Sequence, residues 1–310
     1  MTKRFRKLPQ DSAFLAVTLA LVVLGVLMVF DASFARAGQS KMTSSDSGYY
    51  FKRQFLFAII GFFALWLGSR AELMKIRRLS PWLLGISVPL CLLVFAPGVG
   101  VEANGACRWV RFGPIQFQPS EIAKLCIVLY LASVLAKQQF ETRDFKRGLL
   151  PHLLVLGVVC GMVIVQRDLG TTIAICMSAM VMFFAAGAWM GHLALMMLAA
   201  SGIAGALVLA EPYRINRILT FINPWKDYYG TGYQIIHSLI ALGSGGLLGV
   251  GLCEGREKYY LPAGHTDFIF ASIGEEVGLW GTLLIVACSP VSYILACGSR
   301  GAAKAHIVCF

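Results

Sequence analysis

Residues 169–210 contain no Asp, Glu, Lys or Arg. A chain in water cannot hide a stretch of that length. A bilayer takes it as two helices of about 20 residues each, with a turn marked by Gly187, Ala188 and Gly191. Comparable apolar runs recur along the sequence. The spacing predicts eight spans: Ala13–Phe30, Gln54–Ser69, Leu79–Pro97, Pro119–Ala136, Gly148–Gln166, Leu169–Ala188, Leu193–Ala210, and one from about Phe268 to about Ser289. The fold class expected is an all-α polytopic membrane protein. The first span is too long, and too closely followed by others, to be a cleaved leader. Composition agrees: 57% of residues are hydrophobic and 14% charged, against about 25% charged in soluble domains. A soluble globule, a disordered chain and a fibrous repeat are thereby excluded.

The net charge of +11 does not indicate nucleic acid, because Lys and Arg gather at the ends of the apolar runs. Lys3, Arg4, Arg6, Lys7, Arg70, Lys75, Arg77, Arg78, Lys137, Arg143, Lys146 and Arg147 fall on one side. The short loops of the other side hold Arg36, Lys41, Lys52, Arg53, Arg108, Arg111 and Arg167. The richer side is assigned to the cytoplasm, which places the amino terminus inside. The segment 211–267 then lies outside. A structureless loop of that length is unusual. Within it, the uncharged and glycine-rich run Tyr233–Cys253 is expected to form a re-entrant or surface-lying helix, with a ninth span as the alternative. The nine cysteines show no C-x-x-C spacing and mostly sit in apolar runs, where they act as small hydrophobes.

Charges in or beside spans are costly, so they are candidates for function. Four places qualify. Arg108-Trp109 and Arg111 precede the fourth span. Gln118-Pro119-Ser120-Glu121-x-x-Lys124 opens it, with Glu121 and Lys124 on one helix face, where they pair. Gln166-Arg167-Asp168-Leu169-Gly170-Thr171 fills the turn between spans five and six. The fourth is Leu261-Pro262-Ala263-Gly264-His265-Thr266-Asp267-Phe268, followed by Glu275-Glu276. Glu121–Lys124 is equally compatible with a structural ion pair, and Arg167–Asp168 and Glu275-Glu276 with a turn and a helix cap. Asp267 sits at a membrane edge among aromatic and apolar residues; such surroundings raise a carboxylate's pKa, which suits proton abstraction. Arginines nearby, Arg214 among them, suit an anionic, lipid-linked substrate, since they hold pyrophosphate by charge-assisted hydrogen bonds.

At these residues the sequence resembles the SEDS family (shape, elongation, division and sporulation) of FtsW and RodA proteins over roughly residues 10–288. The resemblance rests on Tyr50-Phe51-Lys52-Arg53-Gln54, Asn104-Gly105-Ala106-x-Arg108-Trp109, the Gln118–Lys124 motif, Asp168-Leu169-Gly170-Thr171, Gly230-x-Gly232-Tyr233-Gln234, Gly243-Ser244-Gly245-Gly246, and His265-Thr266-Asp267-Phe268-Ile269-Phe270 with Glu275-Glu276-x-Gly278. Tyr259-Tyr260-Leu261-Pro262 and Ile273-Gly274-Glu275-Glu276 look more like the division branch. The resemblance implies a single integral membrane domain over 1–310 in the bacterial cytoplasmic membrane. It implies a peptidoglycan glycosyltransferase that polymerises lipid II on the outer face.

Under the same resemblance, Asp267 is the essential carboxylate, as general base or as ligand to a divalent cation (Mg or Mn). Arg108, Arg111, Glu121, Lys124, Arg167, His265 and Arg214 are substrate residues. A class B penicillin-binding protein and other divisome proteins are the implied partners. A lipid II flippase is the alternative, as is a non-catalytic scaffold for such a partner. A flippase predicts paired broken helices in two repeats, whereas only one irregular segment is legible.

Three departures stand out. Ala263-Gly264 replaces the family's Glu-x before His265. Asp31-Ala32-Ser33 stands where the family usually has Ser-Ala-Ser. The family's late Pro-x-Thr-Gly segment and last two of ten spans are not found, and residues 289–310 read as an atypical tail, so a truncated product is expected.

Overall fold

The computed structural model describes residues 9–39, 46–103, 106–113, 115–136, 144–262 and 264–307. Lys3, Arg4, Arg6, Lys7, Lys41, Asn104, Gly105, Lys137, Arg143 and Ala263, used in the sequence reading, lie outside the described residues. Helices form at all eight expected spans: α1 (Pro9–Gln39), α2 (Tyr49–Arg70), α3 (Leu73–Leu92), α4 (Pro119–Leu135), α5 (Leu150–Val165), α6 (Leu169–Ala185), α7 (Met190–Leu209) and, after two shorter helices, α10 (Ile269–Ile307). Six of them (α1, α2, α3, α5, α7 and α10) are long and apolar enough to cross a membrane. The other two, α4 and α6, have 17 residues each, about 25 Å at a helical rise. None of the residues of α2 is buried, as expected of a helix whose solvent is lipid.

The long segment after α7 folds into α8 (Pro212–Ile222), a 3-10 turn Pro224–Asp227, α9 (Tyr233–Gly245) and a second turn Glu257–Tyr259. With 13 residues, α9 is about 20 Å long, too short to span. This removes the ninth-span alternative, and the helix stops at Gly246 rather than running to Cys253. One element was not foreseen. Residues 100–117 form a three-stranded antiparallel sheet, β1 (Gly100–Ala103), β2 (Ala106–Phe112) and β3 (Ile115–Phe117), in the order β1-β2-β3. Its signal was present as the β-branched and aromatic residues Val101, Trp109, Val110, Phe112, Ile115 and Phe117.

The chain divides into two compact units. Unit 2, Ser69–Pro212, contains α3 to α7 and the sheet. Its core is large and apolar, with Ile127, Leu131, Leu149, Val163, Ile175 and Phe183 almost fully buried. A 2.7 Å hydrogen bond between the hydroxyls of Ser80 on α3 and Ser133 on α4 is buried beside it. Pro119 in the first turn of α4 fits the position where its missing N–H costs nothing. Asp168 caps α6 by accepting from the Thr171 N–H at 3.1 Å.

Unit 1, Met1–Gly68 with Tyr213–Phe310, contains α1, α2 and α8 to α10. Its apolar core is small (Ala241, Leu261 and Ala271, with Phe268 against them), so backbone and charge do more of the work. After α9 the chain folds onto the start of α10: the Val250 N–H donates to the Glu275 carbonyl at 3.0 Å and the Gly251 N–H to the Glu276 carbonyl at 3.1 Å. At Gly278 α10 breaks, with φ 70° and ψ −170°, a conformation essentially reserved for glycine. A Cβ there would collide with the backbone of Leu248 and Gly249. Beyond the break the helical backbone continues to Ile307.

Gly278→Ala is expected to destabilise unit 1 by about 1–3 kcal/mol from backbone strain alone. The check is thermal unfolding of the detergent-purified protein, with an unchanged melting temperature counting against this packing.

Candidate active site

Asp267 lies in the turn that leads into α10, two residues before the first helical residue. It is exposed. The apolar enclosure expected from its neighbours is absent, because Phe268 turns inward against Leu261 and Ala271 and leaves Asp267 facing out. Next to it, His265 packs on α2, its ring centroid 4.3 Å from that of Tyr50. Short bonds shape the turn: the Gly264 N–H donates to the Leu261 carbonyl at 3.2 Å and the Leu261 N–H to the Glu257 carbonyl at 2.9 Å.

What holds this turn is a set of buried charges. Lys258 is almost fully buried, its side chain 6% exposed. Its ammonium donates to both oxygens of Asp31 at 2.7 and 2.8 Å, to Glu276 at 2.9 Å and to the Cys253 carbonyl at 3.0 Å. Three elements are thereby joined: α1, the loop before Asp267, and α10. Burial alone would depress the Lys258 pKa; the hydrogen bonds to Asp31 and Glu276 outweigh it and hold the pKa above the ordinary lysine value.

The second oxygen of Glu276 accepts the Cys253 N–H at 3.1 Å. Glu275 accepts the backbone N–H groups of Arg256 at 2.7 Å and Glu257 at 3.2 Å. His237 on α9 meets Glu257 at 2.6 Å. Glu275 and Glu276, candidates from sequence with a helix cap as the alternative, anchor the loop. Asp31 and Lys258 were not among the sequence-derived candidates. Asp31 carried a signal, an acid directly at the end of the first apolar run, where a charge is seldom left without a partner.

Unit 2 gathers a second set. Arg108 lies half-buried on β2 and its guanidinium donates to the carbonyl of Arg167. Arg167 is one of two non-glycine residues with positive φ among the described residues, at 58°, so Arg108 braces a strained turn between α5 and α6. Gln118 donates to Asp168 at 2.6 Å and to the Ser120 hydroxyl at 2.9 Å. Gln166, fully buried, donates to the Cys91 carbonyl at 3.0 Å. Glu121 and Lys124 pair at 2.8 Å on the first turn of α4, with side chains 53% and 31% exposed. A pair that wet contributes at most about 1 kcal/mol. Arg111 is exposed on the same strand as Arg108. Of the sequence-derived residues, Arg108 meets Arg167 and Glu121 meets Lys124. Arg214 belongs to unit 1, on α8, where its Nε donates to the Tyr213 hydroxyl at 3.2 Å.

No group of three or more His, Cys, Asp or Glu side chains among the described residues is arranged to hold a metal ion. A divalent cation at Asp267 would need most of its oxygen ligands from water and from substrate phosphate, which is how magnesium is commonly bound.

Comparison with known proteins gives a consistent result. The family model described as "Cell cycle protein", covering FtsW, RodA and SpoVE, matches residues 11–297. A probable peptidoglycan glycosyltransferase FtsW of Geobacter sulfurreducens is 40% identical over 279 residues, 89% of this chain and 74% of that protein. Stage V sporulation protein E of Bacillus subtilis is 40% identical over 283 residues, 91% of this chain and 76% of its own length. Among solved structures, a chain in a peptidoglycan synthase complex described as coordinating polymerization and crosslinking superposes with a TM-score of 0.69 at 25% identity, covering 92% of this chain and 76% of the other. The rod shape determining protein RodA of Thermus thermophilus shares the fold, with a TM-score of 0.60 at 24% identity over 90% and 71%.

Removing Lys258 leaves two buried carboxylates facing each other, and Lys258→Met is expected to cost about 3–5 kcal/mol. Asp31→Asn leaves a one-to-one pair with Glu276 and should cost much less. Because the folded pKa of Lys258 is raised, its contribution is complete below the ordinary lysine value of about 10.4 and lost only as pH rises through the folded value. Denaturation of the two variants across neutral to alkaline pH checks the order and the sign; equal losses would contradict the three-way contact.

Proposed function

Because this chain belongs to the FtsW/RodA/SpoVE family of cell cycle proteins, we propose that it is a peptidoglycan glycosyltransferase of the division type, polymerising lipid II into glycan strands. The observation that carries this reading is the 40% identity to probable FtsW glycosyltransferases over 89% of the chain. The exposed carboxylate of Asp267, on a loop fixed by buried charges, gives the reading a reactive group. Loops displayed by a rigid scaffold are where reactive groups usually sit.

In the reaction, the 4-hydroxyl oxygen of an acceptor GlcNAc forms a bond to the anomeric carbon of the donor sugar. The bond from that carbon to the pyrophosphate oxygen breaks, and undecaprenyl pyrophosphate leaves with the electron pair. Asp267 takes the hydroxyl proton. Its exposure supports this role, since a bulky lipid-linked glycan must reach it. A divalent cation bound there would neutralise charge on the leaving pyrophosphate. Arg111 and Arg167, exposed on unit 2, are suited to hold an anionic group by charge-assisted hydrogen bonds.

Support for the setting is of two kinds. The excess of Lys and Arg on alternate loops favours a cytoplasmic amino terminus in the bacterial cytoplasmic membrane, with Asp267 outside. The likeness to a chain in a peptidoglycan synthase complex that couples polymerization to crosslinking supports a class B penicillin-binding protein as partner.

Purified chain, supplied with a class B penicillin-binding protein and lipid II, is expected to make glycan polymer. Asp267→Ala should lower the rate by about 10²–10⁴, the usual contribution of a positioned base. Arg111→Ala and Arg167→Ala should raise KM for lipid II more than they lower kcat. Polymer made equally well by Asp267→Ala would overturn the assignment of the base, and vectorial movement of lipid II without polymer would replace the enzyme by a transporter.

A further inference from the structure

The helix α8 is amphipathic, with Ile215, Ile218, Leu219 and Ile222 spaced i, i+3, i+4 and i+7 along one face. A helix on a soluble protein turns such a stripe inward, and α8 does the reverse. Thr220, on the opposite face, is the buried residue. Its hydroxyl lies 2.8 Å from that of Thr231, which Asp227 in turn holds through both the Thr231 N–H and hydroxyl at 2.8 and 2.9 Å. The apolar stripe faces away: Ile218, Leu219 and Ile222 are 48%, 57% and 73% exposed. Trp225 and Tyr229, just beyond the helix, are exposed as well.

The position of α8 along the chain decides what covers this stripe. Pro212 follows Leu209, the last residue of the span α7, by three residues, a reach of about 10 Å. Only Leu193 of α7 is buried, so that span faces hydrocarbon nearly all round and α8 starts at the edge of the same medium. At 11 residues α8 cannot cross. On its flank away from the stripe are Arg214 and Arg217, their guanidinium carbons 5.5 and 6.0 Å from the ring centroid of Tyr213. Apolar stripe, two arginines and flanking Trp and Tyr together match the lipid interface, where acyl chains meet phosphates.

We propose that α8 is an interfacial helix, with Ile218, Leu219 and Ile222 in the acyl region of the bilayer and Arg214 and Arg217 on the phosphates of anionic phospholipid. A glycerophospholipid with net negative charge is the ligand class. The surface and its partner do not depend on the glycan-polymerising reading.

The test places the photoreactive residue p-benzoylphenylalanine at Leu219, Ile222 or Asn216 of the full chain in cell membranes, with adducts identified by mass spectrometry. Phospholipid adducts at Leu219 and Ile222, several-fold above those at Asn216, are expected. Adducts to another protein or a second copy at the apolar positions, or no excess over Asn216, would overturn the proposal. Headgroup preference is read separately in nanodiscs of mixed phosphatidylglycerol and phosphatidylcholine. Enrichment of phosphatidylglycerol around the protein should fall about fivefold for each of Arg214→Gln and Arg217→Gln. An unchanged enrichment would remove the arginines from the proposal.

Discussion

The loop that presents Asp267 depends on one buried ammonium. Lys258 lies between Asp31 of α1 and Glu276 of α10, within 2.7–2.9 Å of each. In a poorly solvated setting, an unpaired charge is penalised far more than a paired one. The three groups therefore hold their elements together more by the cost of separation than by the strength of attraction. Since the apolar core of unit 1 is small, this contact substitutes for the side-chain packing that a larger core would supply. Glu275 extends it by taking the backbone N–H groups of Arg256 and Glu257, which fixes the path of the chain toward Asp267.

The two glutamates at 275 and 276 point different ways from consecutive positions, one to backbone amides and one to Lys258. That division lets one helix start clamp two parts of the same loop. Unit 2 solves a similar problem without a buried ion pair among its described contacts. The strained turn at Arg167 is held by the Arg108 guanidinium, and Asp168 is shared between its own helix cap and Gln118. In both units a charged or amide side chain is spent on backbone geometry next to an exposed cation or acid.

The departure at residue 31 changes meaning once these contacts are seen. As a sequence feature it is a Ser-to-Asp difference at the end of an apolar span. In the fold it is a second carboxylate on a lysine 227 residues away along the chain. No local rule connects the two positions. The same limit applied to Asp267, whose apolar neighbours suggested enclosure. Which way Phe268 turned relative to Asp267 was set by the packing of Leu261 and Ala271, which lies outside any local window.

The sequence by itself determined where the apolar helices form and the medium they fold in, because about twenty apolar residues in a row have few alternatives to a membrane helix. It also determined where most of the charged motifs fall, since charge is costly inside such runs and gathers toward their ends. Local turn chemistry was legible as well: the turn after α6 follows from Gly187, Ala188 and Gly191. Tertiary structure alone decided the sheet of residues 100–117 as a sheet, the outward stripe of α8, and the ion triad of Asp31, Lys258 and Glu276. Each of these depends on which elements meet, and hydrophobic periodicity records only that a face is apolar, not what it is packed against.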